Sequence, residues 1–154
     1  MNMESTEKSA GLSERLARLR PEELPGFLAE NRDALITEGR PFAAYMRAKF
    51  REKGVLQQNV FLAADMSENY GYKLIAEEKH TVRRDTILRL CLVAGFDPDE
   101  TREALILYGM APLHDRLPRD IVFLAAIRWG IRDIHRVNDL LLDCGLAPLV
   151  REPE

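Results

Sequence analysis

Residues 57–76 read Gln57-Gln-Asn-Val-Phe-Leu-Ala-Ala64, then Asp65-Met-Ser67, then Glu68-Asn-Tyr-Gly-Tyr-Lys-Leu-Ile-Ala76. The stretch is expected to fold as helix, three-residue turn, helix. Ser67 is an N-cap by type, since its hydroxyl can accept an amide of the following turn. A turn this short sets two short helices at a steep angle and projects the first turn of the second helix outward. In that second helix Tyr70, Leu74 and Ile75 have helical spacing, so one of Tyr70 and Tyr72 is expected in the core. Gly71 costs about 1 kcal/mol relative to Ala in a helix interior, which points to close backbone packing against a neighbour or a ligand.

Upstream, Pro41 stands at a first helical position before Phe42, Tyr45, Met46, Lys49 and Phe50, spaced i, i+3, i+4, i+7, i+8, with Gly54 as the stop. Arg47, Lys49, Arg51 and Lys53 make the far end of this amphipathic helix basic. Before it come a polar tail over residues 1–12 and a region of short helices over 13–40. Ser13 is expected to cap one of these through Leu19, and Pro21 to Asn31 forms the other.

Downstream the chain repeats itself. A shift of 35 aligns Arg84-Asp85 with Arg119-Asp120 and Gly95 with Gly130; one extra residue then aligns Gly109-Met-Ala-Pro-Leu113 with Gly145-Leu-Ala-Pro-Leu149. Leu88/Phe123, Leu92/Ile127, Leu105/Leu141 and Met110/Leu146 keep their apolar character. Two helical hairpins are expected. In each, Asp is placed to cap the first helix, a left-handed Gly ends it, and the second helix stops at Gly before Ala-Pro. Asp97, Pro98 and Glu100 add a capping box to the first copy.

No stretch alternates with period two, and Leu, Ala, Arg and Glu dominate, so the fold class is all-α. The 154 residues, 46% hydrophobic, can bury a core without disulfide staples. No uncharged apolar run approaches the roughly eighteen residues that span a bilayer, so no membrane is expected. Cys91 and Cys144 lie in apolar helical patterns with no CxxC or Cys–His cluster, which suggests core thiols and neither a metal site nor a disulfide. The first residues lack an apolar secretion segment, and a cytoplasmic location is expected. His80, His114 and His135 are scattered, no glycine-rich phosphate loop or nucleophile elbow occurs, and Asp97 and Asp99 are explained as caps. Neither catalysis nor a cofactor is expected.

The net charge of −3 is unevenly spread: residues 45–91 carry nine Lys/Arg against six Asp/Glu, and both flanks are acidic. The basic excess coincides with the helix, turn, helix segment, whose geometry suits insertion of the second helix into the major groove of DNA.

Gln57 to Asp85, followed by the apolar helix from Thr86 to Ala94, resembles the lambda-repressor-like (Xre-type) helix-turn-helix domain. Leu28-Ala-Glu-Asn31, Tyr70-Gly-Tyr72, Arg84-Asp85, Glu100-Thr101 and Asn138 are similar to a group of bacterial helix-turn-helix proteins with two C-terminal helical hairpins. The resemblance covers about residues 27–149. It implies a five-helix DNA-binding core over 41–94, a two-hairpin repeat over 84–149 sharing helix 85–94, and a role as a sequence-specific transcriptional regulator. By the same resemblance Gln57 and Gln58 open the first motif helix and bond phosphate or base edge. Ser67, Glu68, Asn69 and Tyr70 start the recognition helix, with Lys73 one turn along. Lys79 and Arg83, with Arg47, Lys49 and Lys53 of the basic helix, would face phosphate.

The chain departs from the family after the recognition helix. Where a Gly-Lys-Arg turn and a Pro are usual, it has Glu77-Glu-Lys-His-Thr-Val82. Over 67–89 five basic residues face four acidic ones, and Glu68, Glu77 and Glu78 would repel phosphate unless paired. The alternative is a helix-turn-helix scaffold reused for protein interaction without DNA, with a partner at the 119–149 hairpin or the acidic flanks. A DNA regulator would commonly be a homodimer.

Overall fold

The computed structural model describes residues 11–35 and 40–151, and among these helices are the only regular elements. The all-α expectation is met. The chain divides into two compact units between Gly39 and Arg40.

In the first unit, helical residues 11–17 (α1) are followed by a 3-10 turn, Pro21–Glu23, that runs into α2, Leu24–Glu30. Ser13 lies within α1 and does not cap it, because residue 11 is already helical. Phe27 is the buried side chain of α2. The Arg15 guanidinium sits 5.2 Å from its ring centroid and donates to Asn31 Oδ1 at 3.0 Å, so one arginine both covers the ring and ties the helix end.

The second unit contains α3 (Pro41–Glu52), α4 (Gln57–Ala63), α5 (Glu68–Ile75), α6 (Arg84–Ala94), α7 (Pro98–Tyr108), α8 (Pro118–Arg128) and α9 (Ile134–Asp143). Its organising element is α6, of which nine of eleven residues are buried. Ile87, Leu88, Leu90, Cys91 and Leu92 make α6 apolar around its circumference, and such a helix is stable only inside. Accordingly α4, α7 and α9 all pack on it. Each fully buried Leu or Ile contributes about 1.5–3 kcal/mol relative to exposure, which makes this helix the main source of the core's stability. Of the stripe expected on α3, Phe42, Met46 and Phe50 are buried where α3 packs on α5 and α7, and Tyr45 and Lys49 are half-buried at its edge. Phe42 meets Tyr108 edge-on with centroids 4.7 Å apart, and Phe50 meets Phe96 at 6.1 Å.

Residues 41–94 hold four α-helices, not the five expected. The segment from Glu77 to Arg83 is irregular: its first amides, of Glu77, Glu78 and Lys79, turn back to the carbonyls of Leu74 and Lys73, and beyond them the Thr81 amide donates to Tyr108 Oη of α7 at 2.7 Å and the His80 ring stacks on Tyr108 at 4.7 Å.

The repeat appears as two consecutive helix pairs, α6 with α7 and α8 with α9. Gly95 and Gly109 punctuate the first at φ 77° and 87°, and Gly130 and Gly145 punctuate the second at 72° and 71°. This left-handed backbone is costly for any residue with a Cβ. The capping box forms as expected, with Asp97 Oδ1 accepting the Glu100 amide at 2.7 Å and Glu100 Oε1 accepting the Asp97 amide at 3.0 Å.

Asp85 and Asp120, however, are not caps. Arg83 and Leu117 occupy the cap positions, and each Asp lies in the first turn, bonded to the other pair's arginine. Arg119 donates to Asp85 at 2.6 and 2.8 Å and to the carbonyls of Ala147 and Pro148 in its own repeat at 3.2 and 2.9 Å. Arg84 bonds Asp120, and reaches the carbonyls of Ala111 and Pro112 at 3.3 Å. The second oxygen of each carboxylate takes an amide: His114 to Asp120 and Val150 to Asp85, both at 2.9 Å. The repeated Arg-Asp and Ala-Pro are thus one reciprocal lattice. A charged hydrogen-bond network between buried carboxylates and guanidinium groups outcompetes a single amide cap.

Cys91 is buried, whereas Cys144 is exposed, contrary to the expectation of two core thiols. The buried stripe of α9 is Ile134, Val137 and Leu141, and the helix ends at Asp143, so the turn carries Cys144 off that stripe. Among the described residues no helix is long and apolar enough to cross a membrane.

Candidate nucleic-acid interface

The α4–α5 segment is held by its turn. Asp65 takes φ 58°, which short polar residues tolerate, and the Met66 amide reaches back to the Phe61 carbonyl at 3.1 Å. Ser67 Oγ accepts the Tyr70 amide at 3.2 Å, as its residue type predicts, and α5 begins there.

Packing then sets the rotation of α5. Its buried residues are Gly71, Leu74 and Ile75. A Cβ at Gly71 would overlap the Phe61 ring, so the close approach inferred from this glycine is to a neighbouring side chain. Phe61 also meets the Tyr72 ring edge-on at 5.0 Å. With that face fixed, Ser67, Glu68, Asn69 and Tyr72 are exposed. Of the two tyrosines, Tyr70 is the half-buried one packed on the core, and Tyr72 is 45% exposed.

The structure gathers part of the expected set. Ser67, Glu68 and Asn69 form the outer first turn of α5, and Gln58 is exposed on α4, with Gln57 half-buried beside it. Lys79 Nζ lies 6.0 Å from the Tyr70 ring centroid, and the Lys73 carbonyl accepts the Glu78 and Lys79 amides at 2.9 and 3.1 Å. Tyr70 and Lys79 are therefore one group at the flank of α5, tied to it through the Lys73 backbone. Arg83 is exposed, its amide donating to Thr81 Oγ1 at 3.1 Å.

The basic end of α3 does not join this group as a whole. Arg47 is exposed, but Lys53 pairs with Glu100 of α7 at 2.7 Å, and Lys49 pairs with Glu100 at 3.4 Å and with Glu52 at 2.9 Å. Burial pushes the Lys49 ammonium down, but the hydrogen bond to Glu52 and the charge of Glu100 outweigh it and raise its pKa above the ordinary value. Burial likewise pushes Glu100 up, and the Asp97 amide with Lys53 and Lys49 more than reverses this, so its carboxyl sits below the usual range. Two of the expected phosphate contacts are committed to a carboxylate of the fold.

The glutamates beside α5 have no such compensation. Among the described residues none of Glu68, Glu77 and Glu78 forms an ion pair, and Glu77 Oε2 is buried without a hydrogen-bond partner. Sequence reasoning also passed over the outer face of α4. Val60 and Phe61 point inward, which turns Asn59 and Leu62 outward, Leu62 to 75% exposure. Projecting α4 from its buried pair would have found both.

No protein-family model matches the chain, nor does any curated protein or any solved structure.

Proposed function

We propose that this chain is a DNA-binding regulator of the lambda-repressor-like (Xre-type) helix-turn-helix kind, with α5 as its recognition helix. The supporting observation is the orientation of α5: Gly71 is locked on Phe61, and the capped first turn presents Ser67, Glu68 and Asn69 outward. Asn69 has the chemistry to pair bidentately with adenine, and Gln58 on α4 with a phosphate or base edge. Lys73, Lys79, Arg83 and Arg47 supply the phosphate contacts, while Lys49 and Lys53 serve the fold through Glu100. In-vitro selection from random-sequence duplexes tests this. A common enriched site that disappears with Asn69→Ala is expected; recovery of no enriched sequence by the full chain contradicts it.

A second reading, the same scaffold used for protein interaction, is favoured by a separate observation. On the 119–149 segment Ile121, Trp129 and Leu142 are 46%, 69% and 59% exposed. Exposed large apolar side chains of this kind mark protein contacts more often than nucleic-acid ones. Under this reading Trp129→Ala abolishes assembly with a partner or a second copy and leaves duplex binding unchanged.

A further inference from the structure

The bonds of Arg84 to Asp120 and of Arg119 to Asp85 are reciprocal, and the helices follow the same reciprocity: α6 packs on α7 and α9, and α8 packs on α9 and α7. α6 has a third neighbour, α4. The positions of α6 that match Ile121, Ala125 and Trp129 by the shift of 35 are Thr86, Leu90 and Ala94, and all three are buried. On α8 the same face is open. Leu117, Ile121 and Trp129 are exposed, and Leu124 and Ala125 are half-buried.

The composition of α8 is that of a covered helix. Ile121-Val-Phe-Leu-Ala-Ala-Ile127 is an unbroken apolar run, which places apolar side chains on every face. In α6 such a composition goes with burial of nearly the whole helix, whereas in α8 the buried residues are Asp120, Phe123 and Ala126. Leu117, Ile121, Leu124 and Arg128 follow i, i+4, i+7, i+11, one line along the outer face. Helical repeats bury each copy against the next, and an outermost copy needs a polar face or a cover. On this line the charged residue is Arg128, at its end.

Charge selects the cover. Arg128 is exposed, and so are Asp115, just before the start of the line, and Arg116 beside it; the Asp115 carboxylate lies 3.7 Å from His114 Nδ1. Two such helices side by side in the same direction would set Arg128 against Arg128. Antiparallel, about a two-fold axis, Ile121 meets Leu124 of the second copy, Leu117 takes the stem of Arg128, and that guanidinium comes to Asp115, twice per pair. The face is complementary to itself, as a two-fold contact requires.

We propose that α8 of one chain packs antiparallel on α8 of a second copy, in the place that α4 takes on α6. This names the partner for the protein-contact reading of the 119–149 segment and rests on that reading; it is independent of DNA.

Sedimentation equilibrium of the full chain without DNA, from micromolar to millimolar, tests it. A monomer–dimer equilibrium is expected, with Trp129, the chain's one tryptophan, shifting its emission to the blue as dimer forms. Ile121→Lys, at an exposed position, should weaken dimerisation by about tenfold or more. Asp115→Arg and Arg128→Asp should each weaken it by about fivefold. An equimolar mixture of these two chains should associate as the wild type does, because mixing restores both ion pairs. A monomer at every concentration overturns the proposal and leaves the protein-contact reading to a different partner. A dimer that Ile121→Lys leaves intact overturns it too, as do charge variants that fail to associate on mixing.

Discussion

Arg119 and Asp85 are joined by two parallel hydrogen bonds, of 2.6 and 2.8 Å, between the first turns of α8 and α6. The same arginine holds the Ala147 and Pro148 carbonyls, so one side chain fastens the end of the second helix pair to the start of the first. Breaking a largely buried pair by removing one partner strands the other charge, and Asp85→Ala is expected to cost about 3 kcal/mol. A double-mutant cycle with Arg119→Met, read by urea unfolding, should give a coupling above about 1 kcal/mol. Additivity within about 0.5 kcal/mol would mean that the lattice does not fasten the two pairs.

Gly71→Ala should destabilise the protein, although alanine is the better helix former by about 1 kcal/mol. The added methyl meets the Phe61 ring, itself fully buried, and overpacking of this kind costs about 1–3 kcal/mol. Phe61→Leu in the same chain should recover part of the loss. Gly26→Ala is the control, since a Cβ there meets nothing within 4 Å; it should stabilise or be neutral. Thermal unfolding of these three variants and the wild type separates backbone propensity from packing.

Stability should fall at both ends of the pH range. Burial pushes Asp85 up, but the bonds from Arg119 and the Val150 amide, with the charges of Arg119 and Arg89, hold it below the usual range; Glu100 is lowered as well. A lowered carboxyl contributes stability above its unfolded value near pH 4, and this is lost as pH falls through the folded value. Lys49 is raised, so its contribution is complete below about pH 10 and is lost as pH rises through its folded value. Denaturant unfolding across pH should therefore show Asp85→Asn flattening the acid limb alone. Glu100→Gln should flatten the acid limb and soften the alkaline one, because it also removes one of the two carboxylates that hold Lys49.

The Glu100 contacts predict a gain of function too. Glu100→Gln keeps an acceptor for the Asp97 amide but releases Lys53 from its counter-charge and leaves Lys49 with Glu52 alone. Duplex affinity at low salt should rise several-fold, about 1 kcal/mol for two weakly placed cations. Lys49→Ala and Lys53→Ala in the wild-type background should weaken binding less than Lys73→Ala, as measured by fluorescence anisotropy.

What could be read in advance was local. Ser67 as a cap, the Asp97–Glu100 box and the Phe42–Met46–Phe50 stripe each lie within one helix or its cap, the tight packing at Gly71 reaches only to the adjoining helix, and the structure has them all. What misled was long-range. Lys49 and Lys53 look like a basic surface until α3 packs on α7 and Glu100 arrives beside them. Asp85 looks like a cap until Arg119, from the next repeat, takes its carboxylate. The spacing of the repeat was visible in the sequence; that its identical residues bond across the two copies was not, because spacing carries no information on which copy supplies the partner.

The central claim, that α5 reads DNA, is tested most directly by the salt dependence of duplex binding. The full chain should be titrated against DNA from upstream of its own coding sequence and against an unrelated duplex, between low and physiological salt. Four phosphate contacts, from Arg47, Lys73, Lys79 and Arg83, predict a slope of log affinity against log salt of about −3.5. The upstream duplex should bind more tightly than the unrelated one, with the preference lost in Asn69→Ala. Absence of salt-sensitive binding to either duplex, with Glu68, Glu77 and Glu78 forming no ion pair among the described residues, would contradict the account.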